Sequence, residues 1–160
     1  MLKILLTGLP GSGKTTIAQK ISQEKQLCVV KTGELLRELA KGDDETARLI
    51  KKSMETGEYT NDAIVGDVVE NFVDSPKCAM GYVMDGYPRR LSQLKIYDPK
   101  PTLVFYLHLS DEVAKQRLMN RGRADDTPEI IARRLEVFEQ QMKPLLEYYR
   151  AQGILVQIDA

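Results

Sequence analysis

The residues most able to do chemistry lie in one stretch, Gly8-Leu9-Pro10-Gly11-Ser12-Gly13-Lys14-Thr15-Thr16, which satisfies the pattern G-x-x-x-x-G-K-[ST] at every required position. Glycines at this spacing let the backbone fold into a concave nest whose N–H groups point inward at phosphate oxygens. A helix beginning near Lys14 adds the positive end of its dipole. Lys14 has the reach for terminal phosphates, and the hydroxyl of Thr15 or Thr16 for a magnesium ion or an α-phosphate. An apolar run precedes the stretch and a helical pattern follows it, the context the pattern needs. The reading without a ligand is a glycine-rich turn. The eight-residue match in its proper flanks predicts nucleoside triphosphate binding instead.

Two further groups bear on what is done with that triphosphate. In Gly81-Tyr82-Val83-Met84-Asp85-Gly86-Tyr87-Pro88-Arg89-Arg90, Asp85 ends an apolar run. A carboxylate at the C-terminal end of a parallel strand lies at the crevice where such sheets bind ligands. Asp85 is therefore expected in the magnesium shell and Arg89 against a phosphate. The other group is Arg117, Arg121 and Arg123, then Asp125-Asp126, then Arg133-Arg134. Arg117 and Arg121 are four apart and share one face of a continuous helix. Alone, such a run reads as a solvated charged face. Beside a phosphate site it reads as guanidinium groups spreading positive charge over the oxygens of a transferring phosphoryl group.

Elements must hold these groups together. Apolar runs at residues 2–7, 27–31, 81–85, 102–109 and 154–158 alternate with longer helical patterns, as in a parallel α/β sheet covered on both faces. A helix opens at about 12–22. About three helical stretches without a strand fill residues 33–75. Ile131, Leu135, Phe138, Met142, Leu145 and Tyr149 mark one face of a last long helix, in which Pro144 is expected to make a kink.

The chain has 160 residues, enough for one domain, and its 23 basic and 23 acidic side chains cancel. A balanced charge gives no bulk attraction to nucleic acid or an anionic membrane, and no apolar run approaches the roughly 18 residues that span a bilayer. Cys28 and Cys78 suggest neither a disulfide framework nor a metal site, and Cys28 reads as a small buried hydrophobe. His108, the lone histidine, supplies no ligand set and reads as structural. The expectation is a cytoplasmic protein with small-molecule partners.

Four segments in order, GLPGSGKTT, TGELLR, DGYPRR and RGRADDTPEIIARRLEVFEQQMKPLLEYY, make the chain resemble the adenylate kinases of the nucleoside monophosphate kinase family over nearly its whole length. The resemblance implies a P-loop NTPase three-layer sandwich with a five-stranded parallel sheet. It also implies an NMP-binding helical insertion at about 32–61 and a minimal lid at about 117–123, in a single domain spanning 1–160. The implied reaction is reversible transfer of the γ-phosphoryl of Mg·ATP to AMP, giving two ADP, by a monomer. Position by position, Gly11, Ser12, Gly13, Lys14, Thr15 and Thr16 would hold ATP phosphates, with Arg117 and Arg121 reaching ATP from the lid. Thr32, Gly33, Arg37, Glu58, Thr60, Gly86, Arg89 and Gln93 would hold AMP, Gln93 reading the adenine edge. Arg123 and Arg134 would clamp both phosphate chains, and Asp125 and Asp126 would hold the lid arginines. Magnesium would meet Thr15 directly and Asp85 through water. No general base is needed, since an AMP phosphate oxygen is already a charged nucleophile.

Departures from the family pattern limit these expectations. Thr15 stands where the family has glycine, and Lys31 where a serine is common. Only Gly122 separates Arg121 from Arg123, and there is no four-cysteine zinc lid. The chain stops at Asp159-Ala160, near where the family's ATP-adenine contact and last helix follow, so a relaxed choice of donor base is expected. Two alternatives remain at this point. One is a kinase for another nucleoside monophosphate; the other is a nucleotide-binding regulatory module, which would keep Lys14 but lose acceptor arginines.

Overall fold

Each apolar run is too short to be stable alone, and each is followed by helix that carries the chain back to the same end, so the strands line up in parallel. The computed structural model describes residues 1–160, with β1 at Leu2–Gly8, β2 at Cys28–Lys31, β3 at Gly81–Asp85, β4 at Leu103–His108 and β5 at Leu155–Asp159. The sheet order is β2-β3-β1-β4-β5, every neighbouring pair parallel. Lys31 and Leu6 both lie in register with Asp85. The C-terminal ends of β1, β2 and β3 therefore deliver the phosphate loop, the TG segment and the DGYPRR segment to one edge.

Six helices complete the chain: α1 Lys14–Lys25, α2 Thr32–Leu39, α3 Glu45–Thr56, α4 Asp62–Val73, α5 Asp111–Arg121 and α6 Pro128–Ala151. Four of them start on side-chain caps, with Asp44, Asn61, Ser110 and Thr127 each accepting from backbone N–H groups of the first turn. Helix α1 covers one face of the sheet, packing Ala18 against Ile4, Leu6 and Val83. On the other face Leu5, Val30, Met84 and Val104 meet Val65 and Val69 of α4 and Leu135, Phe138, Met142 and Leu145 of α6. This is the three-layer sandwich. Leu5, Met84 and Leu145 are almost wholly buried, and truncating any one to Ala costs about 2–5 kcal/mol.

The expectation for Cys28 and Cys78 needs correction, while helix α6 runs through Pro144 without ending. The proline lies on its exposed face, so the carbonyl of Gln140, also exposed, loses its helical partner where water can replace it. Cys28 and Cys78 are joined in a disulfide, with Cα atoms 5.0 Å apart, and no cysteine is free. Helices α2 to α4 form an excursion from the sheet. It returns through a 3-10 turn at Pro76–Cys78, which brings Cys78 beside the start of β2 although 50 residues separate the pair. His108 is exposed at the end of β4, its Nδ1 3.6 Å from Asp159.

Candidate active site

One cleft of about 490 Å³ opens at the edge where β1, β2 and β3 end. The phosphate loop forms one wall, α2 and the turn after α3 another, and the α5–α6 junction a third. Of the residues expected to act, Gly11, Gly13, Lys14, Thr15, Thr32, Gly33, Arg37, Glu58, Thr60, Asp85, Gly86, Arg89, Gln93, Arg117, Arg121, Arg123, Asp125 and Arg134 line it. Three do not. Ser12 is buried beneath the loop, Thr16 is exposed on α1, and Asp126 lies buried behind the arginines it holds.

In the phosphate loop, Lys14 Nζ donates to the carbonyls of Gly8 and Leu9, each at 2.8 Å, and to Ser12 Oγ at 3.2 Å. Burial lowers its pKa to about 8, with Arg89 and Arg121 pushing the same way and Asp85 opposing them. Thr15 Oγ1 donates to Asp85 Oδ2 at 2.5 Å. A hydroxyl and a carboxylate so placed form an oxygen pair suited to a hard divalent cation. Across the loop, Arg117 donates to the Gly11 carbonyl at 3.4 Å.

The second wall gathers buried polar side chains. Thr32 begins α2, and its buried hydroxyl has no hydrogen-bond partner in the protein. Gln93 is 2% exposed, and its Oε1 accepts from the Arg89 backbone N–H at 2.7 Å. One lone pair of the amide is thus used by the protein, which orients the side chain and leaves its NH₂ as the donor toward the cleft. Ser53 and Thr60 hydroxyls bond each other at 2.7 Å and fix the turn after α3. Arg89 Nε donates to the Gly86 carbonyl at 2.9 Å. Gly86 has φ +90°, a conformation that other residues rarely adopt, and a Cβ there would crowd the Arg89 guanidinium at 3.0 Å.

The third wall is a junction of only six residues between Arg121, where α5 ends, and Pro128, where α6 begins. Gly122 closes α5 in the left-handed region at φ +66°, which is why the chain can turn so tightly. Asp126 sits at the centre of this wall. Its carboxylate accepts two bonds from Arg121, at 2.8 and 2.7 Å, and one from Arg134 at 2.9 Å. Burial alone would raise its pKa, but the Arg121 hydrogen bonds and the charges of Arg121 and Arg134 hold it below the usual carboxylate range. Asp125 also accepts from Arg134. Arg37 and Arg123 are depressed from the ordinary arginine value, first by burial and then by a neighbouring guanidinium, Arg123 for the one and Arg121 for the other. Crowded cations facing one cleft are relieved by a polyanion.

Several lining residues were not singled out from sequence. Ser53, Met54, Val65, Phe138 and Met142 help shape the cleft, as does Tyr59. Phe138 and Met142 read only as the core face of α6. Tyr59 stands between Glu58 and Thr60, both assigned to the site, and that position was the available signal.

A parallel sheet in this order, with a glycine-bounded nest between β1 and α1, defines a P-loop nucleotide-binding protein. A family model described as adenylate kinase matches residues 6–154. Adenylate kinase of Oenococcus oeni (strain ATCC BAA-331 / PSU-1) is 36% identical over 166 residues, covering 98% of this chain and 88% of that protein. Adenylate kinase of Prochlorococcus marinus (strain MIT 9301) is 38% identical over 165 residues, covering 98% and 89%. That of Mycobacterium bovis (strain BCG / Pasteur 1173P2) is 34% identical over 158 residues, covering 94% and 87%. The chain belongs to the adenylate kinase family, and is a phosphotransferase of the nucleoside monophosphate kinase class.

Proposed function

We propose that the protein transfers the γ-phosphoryl group of magnesium-bound ATP reversibly to AMP, forming two ADP. The observation that carries this reading is that a single cleft holds both the phosphate loop with Lys14 and the acceptor set Thr32, Arg37, Arg89 and Gln93. Arg37 and Arg89, with Arg123 and Arg134, are all present in the cleft, which argues against a regulatory module that has lost transfer.

In this reading the loop N–H groups at Gly11 to Thr16 and Lys14 bind the donor phosphates, and Arg117 and Arg121 reach them from the lid at 117–123. Ser12 acts from beneath, keeping Lys14 aimed across the loop, and Thr16 acts through its backbone N–H. The insertion at 32–61 binds AMP. Thr32 and the Gln93 amide meet the base, Glu58 and Thr60 flank it, and Gly33 and Gly86 let the chain pass close. Arg37 and Arg89 hold the acceptor phosphate in line with the donor. Arg123 and Arg134 span the two phosphate chains and meet the charge that moves between them. Thr15 and Asp85 would hold magnesium, the latter through water. No group of three His, Cys, Asp or Glu side chains converges, so phosphates and water would complete its shell. When bound, the ion neutralises charge on the β- and γ-phosphates.

An acceptor phosphate oxygen attacks the γ-phosphorus, the bond to the β-phosphate oxygen breaks, and that oxygen leaves on ADP. No side chain has to take a proton. Alignment and exclusion of water carry the rate. No helix is long and apolar enough to cross a membrane, and a monomeric, cytoplasmic enzyme fits the balanced charge.

The test is ADP formation from Mg·ATP, and from Mg·GTP, with AMP, UMP, CMP, dTMP or no acceptor. Rapid turnover with AMP alone is expected. Equal slow hydrolysis with every acceptor would defeat the acceptor assignment. Gln93→Asn, one methylene shorter, should give up either the Arg89 N–H or the base and loosen acceptor choice.

A further inference from the structure

Arg89 is held differently from its neighbour. Arg90 is neutralised by Asp62, at 2.8 Å, and Asp62 is itself fixed by Ser92 at 2.5 Å. Arg89 has no carboxylate partner, only the Gly86 carbonyl on Nε. What else meets its guanidinium is the ring of Tyr59, whose centroid lies 5.5 Å from the Arg89 guanidinium carbon and 5.8 Å from that of Arg90.

Tyr59 is well placed to act on both. It is half-buried and lines the cleft. The turn carrying it is pinned by the Ser53–Thr60 hydroxyl bond and by the packing of Gly57, where a Cβ would lie 3.0 Å from the Ile130 carbonyl. A ring face is the negative end of a quadrupole, so it draws in a guanidinium without neutralising it. A carboxylate in the same place would compete with an incoming phosphate. A ring does not, and the N–H groups of Arg89 not bound to Gly86 remain available for an anion.

We propose that Tyr59 is a positioning residue for the acceptor phosphate. Its ring holds the Arg89 guanidinium in the cleft, so that AMP meets an arginine already ordered rather than one that must be immobilised on binding. The proposal rests on the assignment of Arg89 to the acceptor phosphate.

The experiment measures KM for AMP, KM for ATP, kcat and thermal midpoint in Tyr59→Phe, Tyr59→Leu, Arg89→Met and the Tyr59→Leu/Arg89→Met pair. Tyr59→Leu should raise KM for AMP about three- to tenfold. Its KM for ATP should stay within about twofold, and Tyr59→Phe should stay within about twofold in both. In the Arg89→Met background, which leaves no cation for the ring, Tyr59→Leu should add less than about twofold, because the ring acts through the arginine. An unchanged KM for AMP in Tyr59→Leu overturns the proposal. So does a Phe variant as impaired as Leu, or a full additive effect without the arginine. If Arg89→Met alone leaves KM for AMP unchanged, the Arg89 assignment falls and the proposal with it. Should Tyr59→Leu fail to fold, Tyr59→Met, also long but without a π face, takes its place.

Discussion

The two halves of the cleft are built on opposite plans. The phosphate loop is one contiguous stretch whose backbone donors bind, and its side chains mostly bond within it, as Lys14 does to Gly8, Leu9 and Ser12. The acceptor and lid half draws side chains from α2, the turns after α3 and β3, and the α5–α6 junction. Asp126 ties together arginines from α5 and α6, and Arg133 of α6 joins Glu58 at 2.7 Å. A backbone cradle tolerates side-chain change but depends on one lysine. A side-chain lattice spreads its dependence over many residues, each worth less.

Changes on the two sides should separate these plans. The largest effect belongs to Lys14→Met, which should lower kcat about 10²- to 10³-fold with the fold intact by circular dichroism. Asp126→Ala comes next. Freeing Arg121 and Arg134 should cost about 3 kcal/mol in urea unfolding, and lower kcat less than Lys14→Met does. Because the folded pKa of Asp126 lies below its ordinary value of 3.8, its contribution is present above that value and lost as pH falls through the folded one. Asp126→Asn should therefore remove an acid-side loss of stability.

Lys14 gives the opposite limb. With its pKa at about 8, kcat/KM for ATP should fall tenfold per pH unit above that point, while kcat, measured with phosphates raising the lysine's pKa, falls at higher pH. A buried ammonium whose pKa is lowered is a cost to the fold below pH 8. Stability relative to Lys14→Met should thus rise between about 8 and the ordinary value of 10.5. The smallest effect is expected for Glu58→Gln. Glu58 and Arg133 are both substantially exposed, so KM for AMP should change less than about threefold and the change should vanish at high salt.

The same contrast explains what was legible in the sequence. The phosphate loop could be read because its function is carried by local backbone shape, which glycine spacing encodes directly. Thr15 and Asp85 were each read as magnesium residues, but their mutual hydrogen bond shows only where the start of α1 meets the end of β3. The role of Asp126 was visible only as one of two adjacent acids. That it alone is buried and shared by Arg121 and Arg134 depends on how α5 meets α6. Tyr59 gave no sign of facing two guanidinium groups, because those come from the turn after β3. The Cys28–Cys78 pairing was hidden for the same reason, since the excursion of α2 to α4 returns beside β2 only in three dimensions.

The turn at Gly122 has one more consequence. Arg123 is tethered two residues from the end of α5 and five from the start of α6. A group on so short a leash explores little volume, so under the proposed assignment its effective concentration at the transferring phosphoryl is high and little entropy remains to be lost when it engages. Lengthening the leash with inserted glycines would dilute that guanidinium without removing a single contact.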